Sequence, residues 1–155
     1  MNKMADRIFI NKKYKESIDL WSGEKNILDF KDIENIEKFT LAASFGIDNP
    51  KQIEGSREGY VRLTSIPTYN KAILSSILLG KAENGEIDKC ADEEKCYEEA
   101  ERCVESGFMV LKEKINEAKG DEDLLCKRLM AEIDALYETK IKSSIEGEKY
   151  MKKNL

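Results

Sequence analysis

Between Lys38 and Pro50 the chain reads KFTLAASFGIDNP, a crowded apolar helix carrying small residues that runs into a glycine and then an Asx-Pro turn. Phe39, Leu41, Ala42, Ala43 and Phe45 leave it almost no polar face, so this half of the helix is expected to be enclosed by neighbours. Ala42, Ala43 and Gly46 let a second backbone come close. Gly46 is also a candidate left-handed C-terminal cap, and Asp48-Asn49-Pro50 stops the helix from continuing. A segment of this kind obliges the rest of the chain to pack around it. With two prolines and nine glycines in 155 residues, turn chemistry is scarce, and the abundant Lys, Glu, Ala, Leu and Ile favour helices as the packing elements.

Upstream, residues 1 to 10 alternate weakly and suit a short extended arm ending at Ile8 to Ile10. Asn11 is a candidate cap for a short helix in which Tyr14, Ile18 and Trp21 recur at helical spacing, stopped by Ser22-Gly23. Trp21, the single tryptophan, is expected as a core anchor. The enclosed helix begins behind Asp29 or Asp32 as candidate caps, with Ile33, Ile36, Thr40, Ala43 and Ile47 along one stripe. Downstream, Ser65 and Pro67 are start signals for a helix whose Ile73, Leu74, Ile77, Leu78 and Ala82 make a wide apolar face, stopped by Gly85. After the acidic linker EIDKCADEEK comes the most regular pattern of the chain. Tyr97, Ala100, Cys103 or Val104, Phe108, Leu111, Ile115 and Ala118 repeat at three and four, with Glu94, Glu98, Glu101, Glu105 and Lys112 read as lying mainly away from them. Lys119-Gly120-Asp121 breaks it, and Leu125, Leu129, Ile133, Leu136 or Tyr137, and Ile141 carry a second stripe. So short a break implies an antiparallel hairpin.

The fold class expected is all-α, one compact domain of about five helices over residues 1–146. The helix ending at Gly46 and the helix from Pro67 sit at its centre, and the hairpin from Glu94 to Ile145 covers them. Residues 147–155, basic and without apolar period, are expected as a frayed tail. A chain of this length can bury roughly 70% of its unfolded surface and needs no staples.

The segment from Asp48 to Thr64, DNPKQIEGSREGYVRLT, has two glycines, no helical period and a brief apolar alternation at Tyr60, Val61 and Leu63. It is read as one long polar loop, with a short strand or β-hairpin as the alternative. Loops of this length in a small domain are uncommon and are either functional or disordered, so it is the first place to look for a site. Lys51, Arg57 and Arg62 give it a basic bias in a protein of formal net charge −5, and Tyr60 stands between the two arginines. These four residues form the candidate partner-contact loop. They also hold the cationic and aromatic ingredients of a single-strand nucleic-acid contact.

No catalytic, cofactor or metal residue is nominated. The chain has no histidine, which removes the commonest general base at neutral pH, the Ser-His and Cys-His nucleophile pairs, and imidazole metal sites. Cys90, Cys96, Cys103 and Cys126 form no Cys-x-x-Cys knuckle, and Cys96 and Cys103, a heptad apart, join the apolar stripe. Glu94 and Glu98 could present two carboxylates on one helix face, but solvated acids opposite an apolar stripe are what a soluble helix shows. Neither a GxxxxGKS loop nor a GxGxxG turn is present. The acidic balance disfavours a large phosphate-binding surface. No apolar run approaches the ~18 residues a membrane span needs, and MNKMADRIFI has no signal-peptide core. The expected compartment is the cytoplasm.

The helix end FTLAASFGI, followed by a polar loop and later by KCYEEAERCVESGFMVLKEKI and GDEDLL, resembles the family of Dnd system-associated protein 4. Those are small accessory proteins of DNA phosphorothioation and related phage-defence operons. Ala42, Ala43, Gly46, Gly107, Leu111, Lys112, Glu113, Gly120 and Asp121 stand where that pattern asks, and the order of elements covers roughly residues 10 to 135. The resemblance implies that context and no mechanism; together with the missing catalytic repertoire it leads to the expectation of a non-enzymatic accessory or regulatory subunit of a bacterial anti-phage system, contacting another protein of the same system. The alternatives are a nucleic-acid-contacting regulator using the 48–64 segment, or a small acidic phage-encoded inhibitor.

Overall fold

A computed structural model of the chain describes residues 6–23, 30–81 and 91–153, with the side chains of 78–81 and 139–153 left aside. The order of elements is β1 (Arg7–Asn11), α1 (Lys12–Ser22), α2 (Asn35–Gly46), β2 (Arg57–Arg62), a 3-10 turn (Leu63–Ser65), α3 (Thr68–Lys81), α4 (Glu93–Ala118) and α5 (Glu122–Lys153). The chain is mainly helical, and the strictly all-α description is corrected by a two-stranded antiparallel sheet of β1 and β2. The expected cap Asp29, the stop Gly85, residues 86–90 of the acidic linker with Cys90, and the apolar positions Leu78, Ala82 and Ile141 lie outside what is described. Met1–Glu113 form one compact unit and Lys114–Leu155 a second.

In the first unit the sheet joins segments far apart in sequence, not a local hairpin. Arg7 faces Arg62 at one end and Asn11 faces Arg57 at the other. Bonds from Leu63 N to Asp6 O (3.0 Å) and from Lys12 N to Ser56 O (2.9 Å) continue the pairing past both ends. Ile8 pairs with Val61 and Phe9 with Gly59, so Tyr60 is one residue too many and forms a bulge. A bulge lets two consecutive side chains face the same way, which is why both Tyr60 and Val61 are buried. Ile8 and Ile10 point inward from β1 by ordinary alternation.

Asn11 ends the strand and caps α1, its Oδ1 accepting from Lys13 N at 3.1 Å. Tyr14, Ile18 and Trp21 are buried as the spacing predicts, and Trp21 packs edge-on to Phe30. The enclosed helix starts later than its candidate cap Asp32. Glu34 is the N-cap, and Glu37 reaches back to accept from Glu34 N at 3.1 Å, so a capping-box bond replaces the Asp cap. Phe39, Ala42, Ala43 and Phe45 are buried as expected, and so is Lys38, whose ammonium bonds Ser22 Oγ at 3.1 Å. Burial pulls the Lys38 pKa down.

Gly46 corrects its own reading. It is helical, followed by Ile47 in the right-handed region, so no left-handed cap forms there. Its reason is proximity. A Cβ on Gly46 would come within 1.7 Å of the Cys103 carbonyl of α4, and a Cβ on Gly107 within 1.7 Å of the Ala42 carbonyl of α2. The two helices cross backbone to backbone, with Ser106 Oγ donating to Gly46 O at 3.2 Å. That crossing seats the apolar stripe of α4, where Ala100, Cys103, Val104, Phe108 and Leu111 are buried.

In the second unit Lys119 (φ 50°) and Gly120 (φ 86°) adopt left-handed backbone, and Asp121 Oδ1 caps α5 by accepting from Leu124 N at 3.0 Å. The ion pairs Glu117–Arg128 and Lys114–Glu132 bridge the turn in antiparallel order. Ile115, Ala118, Leu125 and Leu129 are buried, but the expected stripe does not stay covered: Ile133 is exposed and Tyr137 is 65% exposed. The helical backbone runs through Ser143-Ser144 to Lys153. Among the described residues no helix is long and apolar enough to cross a membrane.

Candidate functional site

Two carboxylates on α4 organise the surface around the former loop. Glu101 and Glu105 are one helical turn apart, and both are buried, against the expectation that they lie away from the apolar stripe. Glu101 Oε1 accepts from Phe9 N at 2.7 Å, and Oε2 pairs closely with Arg57 Nη2. Glu105 Oε1 accepts from Asn11 Nδ2 at 3.3 Å and lies 3.9 Å from Lys13 Nζ. Asn11 Nδ2 also donates to Glu54 O at 2.6 Å, while Lys51 N donates to Arg102 O at 2.9 Å. One helix face thus holds the outer edge of β1, the start of α1 and the segment before β2. The sign of the charges explains the choice of residue: a carboxylate satisfies a strand-edge amide and a guanidinium with its two oxygens.

Burial pushes both carboxyls above the ordinary glutamate value of 4.5. For Glu101 the Phe9 amide and Arg57 offset part of that rise, with Glu98 adding to it. For Glu105 the Asn11 amide, Lys13 and Lys51 oppose it, and Glu54 reinforces it. Glu105 Oε2 is buried without a hydrogen-bond partner. A group whose pKa is raised on folding binds its proton more tightly in the native state, so its contribution to stability falls as pH rises from 4.5 through the raised value. Glu105→Gln cannot titrate. The stability of this variant relative to the parent is therefore expected to improve steadily as pH is raised from the acid side, measured by urea unfolding at a series of pH values. A relative stability that is flat or declines with pH contradicts the assignment.

Arg57 is the exposed product of this arrangement. Its guanidinium is held by Glu101, lies 4.9 Å over the Phe9 ring, and leaves 50% of the side chain exposed. Two clefts adjoin it. One, of about 130 Å³, has an apolar floor of Phe9, Leu63 and Tyr97 with Arg7, Glu94 and Glu98 on its walls. The other, of about 330 Å³, is lined by Gln52, Ile53 and Arg102. Arg57, Glu98 and Glu101 line both.

Of the four residues singled out in the sequence, Arg57, Tyr60 and Arg62 stand on β2, and Lys51 precedes the strand. Lys51 and Arg62 are exposed, with Arg62 opposite Arg7 at the sheet end. Tyr60 is only 9% exposed, and burial raises its hydroxyl pKa, so the ring offers no open stacking face. Arg57 alone of the four lines the clefts. Arg7, Arg102, Glu101, Glu105 and Asn11 are site residues beyond those four, and the row Tyr97, Glu101, Glu105, Phe108 at spacings of four, four and three is the sequence signal that places both acids on the covered face. Glu94 and Glu98 line the smaller cleft, and among the described residues no three acids, cysteines or histidines gather as metal ligands. Cys96 and Cys103 are buried in the α4 stripe and Cys126 is exposed. No protein-family model, curated protein or solved structure matches the chain.

Proposed function

We infer that the chain is a non-enzymatic accessory subunit of a bacterial anti-phage defence system that works by contact with another protein of that system. The observation that carries the reading is Arg57. A guanidinium fixed by a buried carboxylate and an aromatic ring has lost its conformational freedom before any partner arrives, yet half of it is exposed between two clefts. Pre-ordered arginines of this kind are frequent anchors of protein interfaces. The resemblance of Ala42, Ala43, Gly46 and Gly107 with their flanks to the phosphorothioation-associated accessory family supplies the cellular context. A nucleic-acid-contacting role receives less support, since Tyr60 is enclosed and the Phe9 ring lies under Arg57.

The test is co-purification of the tagged chain with the products of its neighbouring genes. One of them is expected to co-elute, and Arg57→Gln is expected to weaken that complex by about 2 kcal/mol, roughly 30-fold in affinity, with an unchanged circular dichroism spectrum. Failure of the parent chain to retain any neighbour, or equal retention by Arg57→Gln, overturns the reading.

A further inference from the structure

The smaller cleft carries charges of both signs that do not meet. Among the described residues Arg7, Glu94 and Glu98 form no salt bridge or hydrogen bond through their side chains, although all three line the same 130 Å³ space. The other two charges of the lining, Arg57 and Glu101, neutralise each other. What remains for a ligand is one guanidinium from β1, two carboxylates one turn apart on α4, and apolar lining from Phe9, Leu63 and Tyr97. With no salt bridge between Arg7 and Glu94 or Glu98 among the described residues, the occupant that complements this lining is a molecule carrying charges of both signs.

We propose that this cleft binds a small amphoteric molecule of the diamino-acid class, its carboxylate on Arg7, its ammonium groups on Glu94 and Glu98, and its methylene chain on Phe9, Leu63 and Tyr97. Charge count selects the class: one cation and two anions on the walls are matched one for one by two ammonium groups and one carboxylate. Size agrees. At about 10–15 Å³ for each water-sized position, the space holds roughly ten heavy atoms, the size of a lysine-like molecule. A planar guanidinium suits a carboxylate, and the methylene chain of such a ligand buries on aromatic carbon while its ends stay polar. Glu94 and Glu98 are exposed and Arg7 is half-buried, which places the affinity in the millimolar range. The proposal stands on lining charge and volume, and holds whether or not the chain is a subunit of a larger assembly.

The probe is L-lysine, titrated into the full chain at constant ionic strength and followed through the amide resonances of Phe9, Leu63 and Tyr97. Cadaverine, which lacks the carboxylate, and norleucine, which lacks the second ammonium, are the comparators. Lysine is expected to shift all three resonances with a dissociation constant of about 1 mM, and each comparator to bind about tenfold more weakly. Arg7→Gln should lower lysine binding to the level of cadaverine and leave cadaverine unchanged, while Glu94→Gln with Glu98→Gln should weaken both. These residues line the cleft rim and the replacements are close in shape, so an unchanged circular dichroism spectrum is expected and serves as the folding control. No shift with lysine at about 20 mM, or equal responses to lysine, cadaverine and norleucine, overturns the proposal.

Discussion

Gly107→Ala is expected to destabilise the chain by about 3 kcal/mol or more, although the same change in an unobstructed helix interior is favourable by roughly 1 kcal/mol. The opposite sign comes from one distance. The added Cβ would sit 1.7 Å from the Ala42 carbonyl oxygen and 2.6 Å from its carbon, and these are backbone atoms of α2 that no rotamer change can move aside. Relief requires α2 and α4 to separate, which uncovers Ala42, Ala43 and Cys103 together, all at 0% exposure. Gly46→Ala meets the Cys103 carbonyl at the same 1.7 Å and should cost as much, while the two changes combined should cost less than their sum, because one separation of the helices accommodates both. In thermal unfolding each single variant should lose roughly 10 °C. A melting temperature within about 2 °C of the parent means that the helices do not cross this closely.

The second large effect is expected at Phe108. It is fully buried on α4 and stacks on Tyr14 of α1 with ring centroids 5.5 Å apart and planes 25° from parallel. Phe108→Ala removes the ring and leaves a hole bounded by α1 and α4, at a cost of about 3–5 kcal/mol. Phe108→Leu keeps most of the volume and should cost less than half as much. Tyr14 supplies an internal reporter. Burial, with Glu105 as the lesser cause, pushes its hydroxyl pKa up to about 12. Opening the packing over its ring should bring that value down, read by ultraviolet titration of whatever folded Phe108→Ala remains. Denaturation midpoints equal to the parent, with an unmoved tyrosine titration, contradict the placement of Phe108 as the link between α1 and α4.

How much of this was legible beforehand differs from element to element. The apolar positions of the α4 stripe are legible: Tyr97, Ala100, Phe108, Leu111, Ile115 and Ala118 recur at helical spacing and are buried, Cys103 and Val104, read as alternatives, are both buried, and Glu101 and Glu105 join them against expectation. The cap at Asn11, the stop at Gly23 and the turn at Gly120 were local chemistry and were read locally. The sheet was half visible. Ile8 to Ile10 looked extended and Tyr60 to Leu63 looked alternating, but nothing in either segment names a partner 50 residues away, and the extra residue at Tyr60 becomes a bulge only once Ile8 and Val61 are paired. In the candidate site, Arg57 stands out for its charge in an acidic chain. The buried acid that positions it does not, because a glutamate on an amphipathic helix is ordinarily solvated and only the strand edge beside it makes its burial favourable.

By itself the sequence determined the helical periods, the cap at Asn11 and the turn at Gly120, which are governed by neighbours within about a turn or two, and its composition excluded histidine chemistry. Only the tertiary structure decided which faces meet. Glycine at 46 looked like a helix end and proved to be a crossing point, and Glu101 and Glu105 looked like solvent-facing acids and proved to hold β1 and Arg57 in place. The physical reason is common to both. Backbone propensity and periodicity are local quantities, whereas the closeness of two backbones and the desolvation of a carboxylate are set by atoms that the chain brings in from far along its length.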